Sequence, residues 1–320
     1  ANENKTQMIN LSIVIPLFNE EESLKLLTEE IIKVLSASNY TYEIIFVDDG
    51  STDSSWKIIK ELNKNPHIKG IRLNKNCGKS TALDVGFLNT QGNVVITMDG
   101  DLQDDPKEIP DLYSMIVNDG YHLVSGWKKK RFDPLSKTIP TKLYNWATRL
   151  MSGIYLHDFN CGLKAYSSVV VKEIQLSGEM HRYIPLLVKN SGYNKIGEKI
   201  VNHRKRTYGE TKYGGWNRFS NGLLDLISIS FLNRFGKSPM HLFGFLGVIS
   251  FVIGFVIAIY LTYAKLVLSQ FNMTDRPLFY LGILCMIIGS QLFLSGFLGE
   301  LIIRNKTINN NNSISEKTGF

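Results

Sequence analysis

Two apolar runs near the C-terminus restrict this chain's possible folds more than any other feature. Residues 242–264 are almost uninterruptedly apolar, and so are 278–303 apart from Ser290, Gln291, Ser295 and Glu300. A hydrocarbon core of roughly 30 Å needs about 20 helical residues to cross it. Both runs meet that length, and nothing else in the C-terminal third would cover them as soluble core helices. The expectation is a transmembrane hairpin over residues 239–306. Arg234 and Lys237 precede the first run, Arg304 and Lys306 follow the second, and Lys265, Asp275 and Arg276 lie between. That bias agrees with both outer flanks in the cytoplasm. Hairpins of this size often need partners to pack, which admits a homo-oligomer. The tail, residues 307–320 with Asn309 to Asn312, reads as polar and disordered.

The first half of the chain is different. Apolar, β-branched runs at 11–15, 42–47, 68–73 and 94–98 alternate with helical periodicity at 20–35, 54–62 and 80–88. Leu24, Leu27, Ile31 and Leu35 fall on one helix face. Asp104 and Asp105 before Pro106 are a helix start, an acidic cap followed by proline in the first turn. Such alternation implies an α/β fold with a mainly parallel, doubly wound sheet. Further along, 135–151 reads as a helix, 161–166 as an extended segment and 169–175 as a short helix. Residues 214–238 form an interfacial region, with Trp216, Phe219, Leu223, Ile227 and Phe231 near helical spacing just ahead of the first span. The first seven residues are polar and carry no secretory signal, so the leading domain is expected in the cytosol. Cys77, Cys161 and Cys285 are widely spaced without a Cys-x-x-Cys, which indicates neither a disulfide framework nor a zinc site. The net charge of +7 suits an anionic partner: nucleic acid, nucleotide phosphate or an anionic membrane surface.

Three expected strands end in polar clusters: Pro16-Leu17-Phe18-Asn19-Glu20-Glu21, Asp48-Asp49-Gly50-Ser51, and Asp99-Gly100-Asp101-Leu102-Gln103. The carboxyl ends of parallel strands are where open α/β sheets bind ligands, so the three should meet in one cleft. Asp99 and Asp101 repel each other unless a cation sits between them. Oxygen ligands suit Mg²⁺ or Mn²⁺, which in turn favours a phosphate-bearing substrate. Asp48 and Asp49 suit hydrogen bonds to a base or ribose, although Asp-Gly-Ser is also a plain turn. Gly78-Lys79-Ser80-Thr81 looks like the end of a P-loop, but the glycine that pattern requires is Leu73 here, which excludes an ATPase of that type. Lys79 at a helix start remains a candidate phosphate contact.

Together these motifs resemble glycosyltransferase family 2, and within it the polyprenyl-phosphate glycosyltransferases of the dolichol-phosphate mannose synthase-like group. Asn76 to Lys79, His157-Asp158-Phe159-Asn160-Cys161-Gly162-Leu163-Lys164 and Arg204-Lys205-Arg206-Thr207-Tyr208-Gly209-Glu210-Thr211-Lys212 extend the likeness over nearly the whole chain. The resemblance implies a GT-A fold over residues 1–213, a nucleotide-sugar donor and a lipid-phosphate acceptor. It implies that Asp99, Asp101 and Gln103 hold the divalent metal, and that the segment with Arg204, Arg206 and Lys212 closes over the donor diphosphate. Pro16, Asn19, Glu20, Asp48, Asp49 and Lys79 would line the donor side. A basic and a hydroxyl residue four positions apart would bind the acceptor phosphate. Lys137 and Thr141 fit that spacing in place of the usual arginine and serine. Lys128 and Lys142 would assist, although charge near lipid headgroups explains the 128–131 run equally well. Asp158 matches an acid that would act as general base toward a hydroxyl; toward an ionised phosphate it would only orient groups. His181 and Arg182 precede an apolar stretch and would line the acceptor side.

The activity implied is inverting transfer of one hexose to polyprenyl phosphate at the cytoplasmic membrane, with no nucleic-acid partner. Two rivals stand beside it. A processive polysaccharide synthase carries Gln-x-x-Arg-Trp, which none of Trp56, Trp127, Trp146 and Trp216 completes. A non-catalytic sugar-lipid binding protein would not need an intact Asp99, Asp101 and Gln103 set.

Overall fold

The computed structural model describes residues 9–38, 40–129, 145–146, 148–150, 152–176, 178, 180–205, 238–267, 273–304 and 314–319. The chain divides into two compact units, 1–225 with 309–320, and 226–308.

The first unit is built on strands β1 (Leu11–Leu17), β2 (Tyr42–Asp48), β3 (Ile68–Leu73), β4 (Val94–Thr97), β5 (Leu123–Trp127), β6 (Lys164–Ser167), β7 (Ile196–Ile200) and β8 (Ile314–Thr318). They form one sheet in the order β7-β5-β6-β4-β1-β2-β3-β8. The β1–β2, β1–β4, β2–β3 and β5–β7 pairs are parallel; β3–β8, β4–β6 and β5–β6 are antiparallel. The sheet is therefore mixed, with its parallel part holding the three acidic strand ends.

Alternation along each strand feeds two cores. Ile13, Ile15, Ile44, Phe46 and Ile96 meet helices α1 (Leu24–Ser36), α2 (Ser55–Leu62) and α4 (Ile109–Val117) on one face. Val14, Ile45, Val47 and Val95 meet α3 (Lys79–Leu88), α5 (Ser168–Glu173) and α6 (Ile184–Asn190) on the other. The α1 stripe of Leu24, Leu27, Ile31 and Leu35 is buried as its spacing requires, worth about 1.5–3 kcal/mol per side chain. The helix starts later than 20 because residues 19–23 turn to meet the next loop. Asp105 caps the turn Pro106–Glu108 through the Lys107 amide at 3.1 Å, the start signal read in the sequence. The β5 and β7 strands and helix α6 were not anticipated; β7, Ile-Gly-Glu-Lys-Ile, is too polar to announce itself.

The tail expectation needs correcting. Residues 314–318 are strand β8, antiparallel to β3, with Trp56 donating to Glu316 at 2.7 Å and Thr318 donating to Asn63 at 2.8 Å. An open β3 edge offers unpaired backbone groups, and Ile314-Ser315-Glu316-Lys317-Thr318 supplies them with partners. The chain thus rejoins the first unit after leaving the second. The proposed helix at 135–151 lies largely outside the described residues, and that at 216–231 lies wholly outside them.

The second unit is an antiparallel hairpin of α7 (Pro239–Leu266) and α8 (Pro277–Arg304), with mean hydropathies of 2.7 and 2.0 over their candidate spans. Glycines at seven-residue intervals, 247 and 254 facing 289 and 282, let the backbones approach: a Cβ added to Gly289 would lie 2.6 Å from the Gly247 carbonyl. Small residues at a helix interface replace the hydrophobic drive that lipid removes. Phe245, Val252, Val256, Leu284, Ile287 and Leu294 point outward.

Candidate active site

Loops after β1 and β2 are fastened to each other before any ligand is considered. Asn19 adopts a left-handed φ of 53°, a conformation asparagine tolerates. Its amide donates to Ser51 Oγ at 2.9 Å, its Oδ1 accepts from the Thr52 amide at 2.8 Å, and the Glu20 amide donates to Ser55 Oγ at 2.9 Å. Pro16 lies within β1. It is buried in β1 opposite Val47, beyond the last β1–β4 pairing at Val14 and Thr97, where its missing N–H costs no ladder bond.

Asp48 and Asp49 are both buried, at 0% and 5% exposure. Asp48 accepts from the Ser51 amide at 2.8 Å and faces the Arg72 guanidinium at 3.4 Å. Asp49 accepts from the Cys77 amide at 2.7 Å and the Gly78 amide at 2.9 Å. Burial pushes both carboxyls up, and these partners counter it. Asp49 thereby fixes the entry to α3, and with it the Cα of Lys79.

The turn after β4 is held from several sides. Ser23 Oγ donates to the Gly100 carbonyl at 2.6 Å, and the Asp99 amide donates to Asp104 at 3.2 Å. Thr97 Oγ1 donates to the Gly162 carbonyl at 2.8 Å, and the Arg204 amide to the Gln103 carbonyl at 2.9 Å. Leu102 sits at φ 61° while 4% exposed. A bulky residue in that region is strained, and such strain persists where surrounding packing over-determines it.

Three lysines surround Asp99. Lys79 Nζ lies 2.5 Å from its Oδ1. Lys128 pairs with Asp104 at 2.9 Å and acts on Asp99 through space, and so does buried Lys164, whose ammonium donates to the Cys161 carbonyl. Burial would raise the Asp99 carboxyl, but the lysines, Lys79 foremost, hold it down at about 2. Asp101 moves the other way, to about 6, through burial and then the charges of Asp99 and Asp104. Lys164 is pushed down by burial. Lys79 stays above its ordinary value because Asp99 outweighs burial. An all-oxygen donor set with one carboxylate crowded by its neighbours fits a hard divalent cation. Asp99 and Asp101 would hold it, with Gln103 on the same turn.

Behind Asp99 stands Gly162, where an added Cβ would lie 2.6 Å from the Asp99 Cγ. Asp158 is 1% exposed; its Oδ1 accepts from the Asn160 amide at 3.1 Å and its carbonyl from Ser125 Oγ at 3.2 Å. The adjacent His157 stacks on Trp127 at 4.0 Å and is gripped by Glu198 through both ring and amide. His181 shares hydrogen bonds with Ser80 at 2.9 and 3.0 Å, and burial, then Lys79 and Arg182, push it well below its ordinary value.

Two of the expected site cations are held by carboxylates. Arg204 spends its fork on Glu30 at 2.6 Å and Asp105 at 2.7 Å, which anchors the start of the basic segment. Lys128 is engaged by Asp104 beside the turn after β4, not spread on the surface toward headgroups. Arg206, Lys212, Lys137, Thr141 and Lys142 lie outside the described residues. The sequence reading missed Gly162 as a contact of Asp99 and Lys164 as a buried cation. The only signal for them was their place in the segment that starts at His157.

The family model "Glycosyl transferase family 2" matches residues 12–174, a span that holds β1 to α5 and every acidic strand end. The chain belongs to glycosyl transferase family 2. It is 35% identical to dodecaprenyl-phosphate galacturonate synthase of Rhizobium johnstonii over 93% of this chain and 89% of that one. It is 32% identical to undecaprenyl-phosphate 4-deoxy-4-formamido-L-arabinose transferase of Aeromonas hydrophila over 95% and 91%. Among solved structures, glucosyl-3-phosphoglycerate synthase from Mycobacterium tuberculosis with Mn²⁺, uridine diphosphate and phosphoglyceric acid aligns with a TM-score of 0.52 at 19% identity, covering 71% of this chain and 78% of that one. The same enzyme with Mg²⁺ and uridine diphosphate aligns at 0.51 with 20% identity, covering 71% and 80%. These establish the GT-A-like fold. The family-2 chain described here is a glycosyltransferase with two helices long and apolar enough to cross a membrane.

Proposed function

We propose that this enzyme transfers a single hexose, with inversion, from a nucleotide sugar to polyprenyl phosphate of the undecaprenyl type. The carrying observation is a likeness that runs through both units to relatives named for polyprenyl-phosphate sugar transfer. The acidic turn after β4 and the apolar hairpin supply what such a reaction needs: a place for a diphosphate and attachment where the acceptor is confined. Mg²⁺ or Mn²⁺, when bound, would neutralise charge on the departing nucleoside diphosphate. Asp99 and Asp101 hold that ion, and the 49–53 loop with Asn19 and Glu20 shapes the nucleotide side. Arg206 and Lys212 engage the diphosphate as charge develops, while Lys137, Thr141 and Lys142 take the acceptor phosphate. Asp158 orients the acceptor side. A phosphate monoester is largely ionised above pH ~6 and needs no proton removed.

The GT-A unit is assigned to the cytosol and the hairpin to the inner membrane. The return of residues 314–318 to the sheet of the first unit supports an even number of spans. The test is a panel of UDP- and GDP-sugars incubated with the detergent-solubilised chain, polyprenyl phosphate or polyprenol, and Mn²⁺. Glycolipid from polyprenyl phosphate alone is the expected result. Product from polyprenol or a free sugar hydroxyl would overturn the acceptor assignment.

A further inference from the structure

Asp48, Arg72 and Glu316 stand side by side on one face of the sheet. The register sets Asp48 opposite Arg72 across β2 and β3, and Arg72 opposite Glu316 across β3 and β8. Directly opposed side chains share a face and interact. The row continues the face that Ile44, Phe46 and Ile68 bury together with Trp56 and Ile59 of α2. It alternates acid, base and acid, and α2 supplies its cover. Trp56 Nε1 donates to Glu316 at 2.7 Å, and the Arg72 guanidinium lies 6.0 Å from the indole centroid. Ser315 Oγ donates to the Arg72 carbonyl at 3.3 Å.

Arg72 carries this support into the loop after β2. Its Nη2 donates to the Ser51 carbonyl at 2.9 Å, and its Nε faces Asp48 Oδ2 at 3.4 Å. Asp48 is fully buried and takes the Ser51 amide on its other oxygen. One guanidinium therefore braces both the acid and the turn that follows it. A buried carboxylate that loses its facing charge is strongly destabilised. Ser51 Oγ in turn accepts from the Asn19 amide at 2.9 Å, so the brace reaches the loop after β1 as well.

We infer that Arg72 is a positioning residue for the nucleotide loop and that β8 holds it there, so that residues following the apolar hairpin set the affinity for the donor nucleotide. This rests on the proposed reading of residues 49–53 with Asn19 and Glu20 as the nucleotide side. Arg72 supplies a charge against Asp48, which lysine can replace. It also supplies a fork that reaches Ser51 at the same time, which lysine cannot replace.

The experiment is calorimetric titration of the full chain in detergent with UDP and with GDP, in the presence of Mn²⁺, beside melting temperatures. Arg72→Met should weaken binding of the preferred nucleotide about 10- to 100-fold, the range for a lost charge-assisted hydrogen bond. Arg72→Lys should fall between Arg72→Met and wild type. Glu316→Lys places like charges directly opposite each other and should weaken binding about 3- to 5-fold. Glu43 is the stability control: it is buried at the amino end of β2 and paired with Lys69 at 2.8 Å. Glu43→Gln should lower the melting temperature and leave nucleotide affinity at the wild-type value. Wild-type affinity in Arg72→Met or in Glu316→Lys overturns the inference. So does an equal loss of affinity in Glu43→Gln, which would reduce the effect to general destabilisation. Absence of UDP and GDP binding by the wild type overturns the nucleotide reading itself, and the inference with it.

Discussion

Two acid pairs sit at equivalent places in this sheet, and their surroundings differ in a way that, under the proposed function, gives them opposite tasks. Asp48 and Asp49 follow β2; Asp99 and Asp101 follow β4. The first pair faces backbone: three amide donors at 2.7–2.9 Å and one guanidinium. Adjacent residues of an extended chain point to opposite sides, so this pair cannot close on one ion. The second pair is separated by a glycine, bent by Leu102 in the left-handed region, and faced by ammonium groups. Amide donors lock a loop. Ammonium groups and mutual repulsion leave a carboxylate ready to exchange partners. What surrounds the oxygens, not the presence of an acid at a strand end, separates scaffold from chemistry.

The largest break in this comparison should come from Asp101→Asn or Asp99→Asn. Removing one ligand charge costs several kcal/mol of charge stabilisation, so transfer should fall at least ~10³-fold in both; the melting temperature should stay close to wild type in Asp101→Asn and drop in Asp99→Asn, which takes the counter-charge from Lys79. Transfer assays beside differential scanning fluorimetry separate the two effects.

Next in size is Gly162→Ala. The new methyl would overlap the Asp99 carboxylate, and a displaced reacting group commonly costs ~10²-fold in rate. Gly78→Ala is its control. No atom lies within 4 Å of an added Cβ there, but φ is +90°, so the cost of roughly 1–2 kcal/mol falls on stability. Equal rate losses in the two variants would refute a special role for the Gly162 contact.

A smaller effect is expected from the Arg204 anchor. Asp105 is lowered: burial opposes this, but its bonds from Lys107, Asn202 and Arg204 prevail. Its folded value lies below the ordinary Asp value near ~3.9. The stabilisation is therefore complete above about pH 4 and fades as pH falls through the depressed value. Arg204→Met should flatten the acid limb of stability measured by scanning fluorimetry between about pH 3 and 5. An unchanged limb would show that Arg204 does not set it.

Smallest is Glu316→Gln, which weakens the charged acceptor for Trp56 Nε1 and its ion pair with Lys60 at 3.7 Å. A loss of about 0.5–1.5 kcal/mol is expected. A Trp56 fluorescence change with transfer retained would place β8 in the scaffold.

Much of this architecture was legible in the chain. Apolar, β-branched runs marked β1 to β4, helical periodicity marked α1 to α3, and uninterrupted apolarity marked the hairpin. The Asp99-Gly100-Asp101 turn was legible because a buried strand stopped abruptly in charge. Long-range partners were not. Nothing near Asp49 announces that Cys77 and Gly78, 28 and 29 residues away, will take its oxygens. Arg204 and Lys128 read as free cations because their carboxylates, Glu30, Asp105 and Asp104, come from other segments. β8 was hidden behind an asparagine run, and its partner edge lies some 240 residues earlier in the chain.

The most direct test of the account is a Mn²⁺ titration of sugar transfer to polyprenyl phosphate, run in parallel on wild type, Asp49→Asn and Asp101→Asn. Wild type and Asp49→Asn should both saturate with Mn²⁺, at half-saturations within about threefold, with the Asp49 variant showing a raised donor KM and a lowered melting temperature. EDTA should silence both, and Asp101→Asn should remain at background throughout. An Asp101→Asn curve that follows wild type, or full transfer in EDTA, would contradict the division of labour between the two acid pairs.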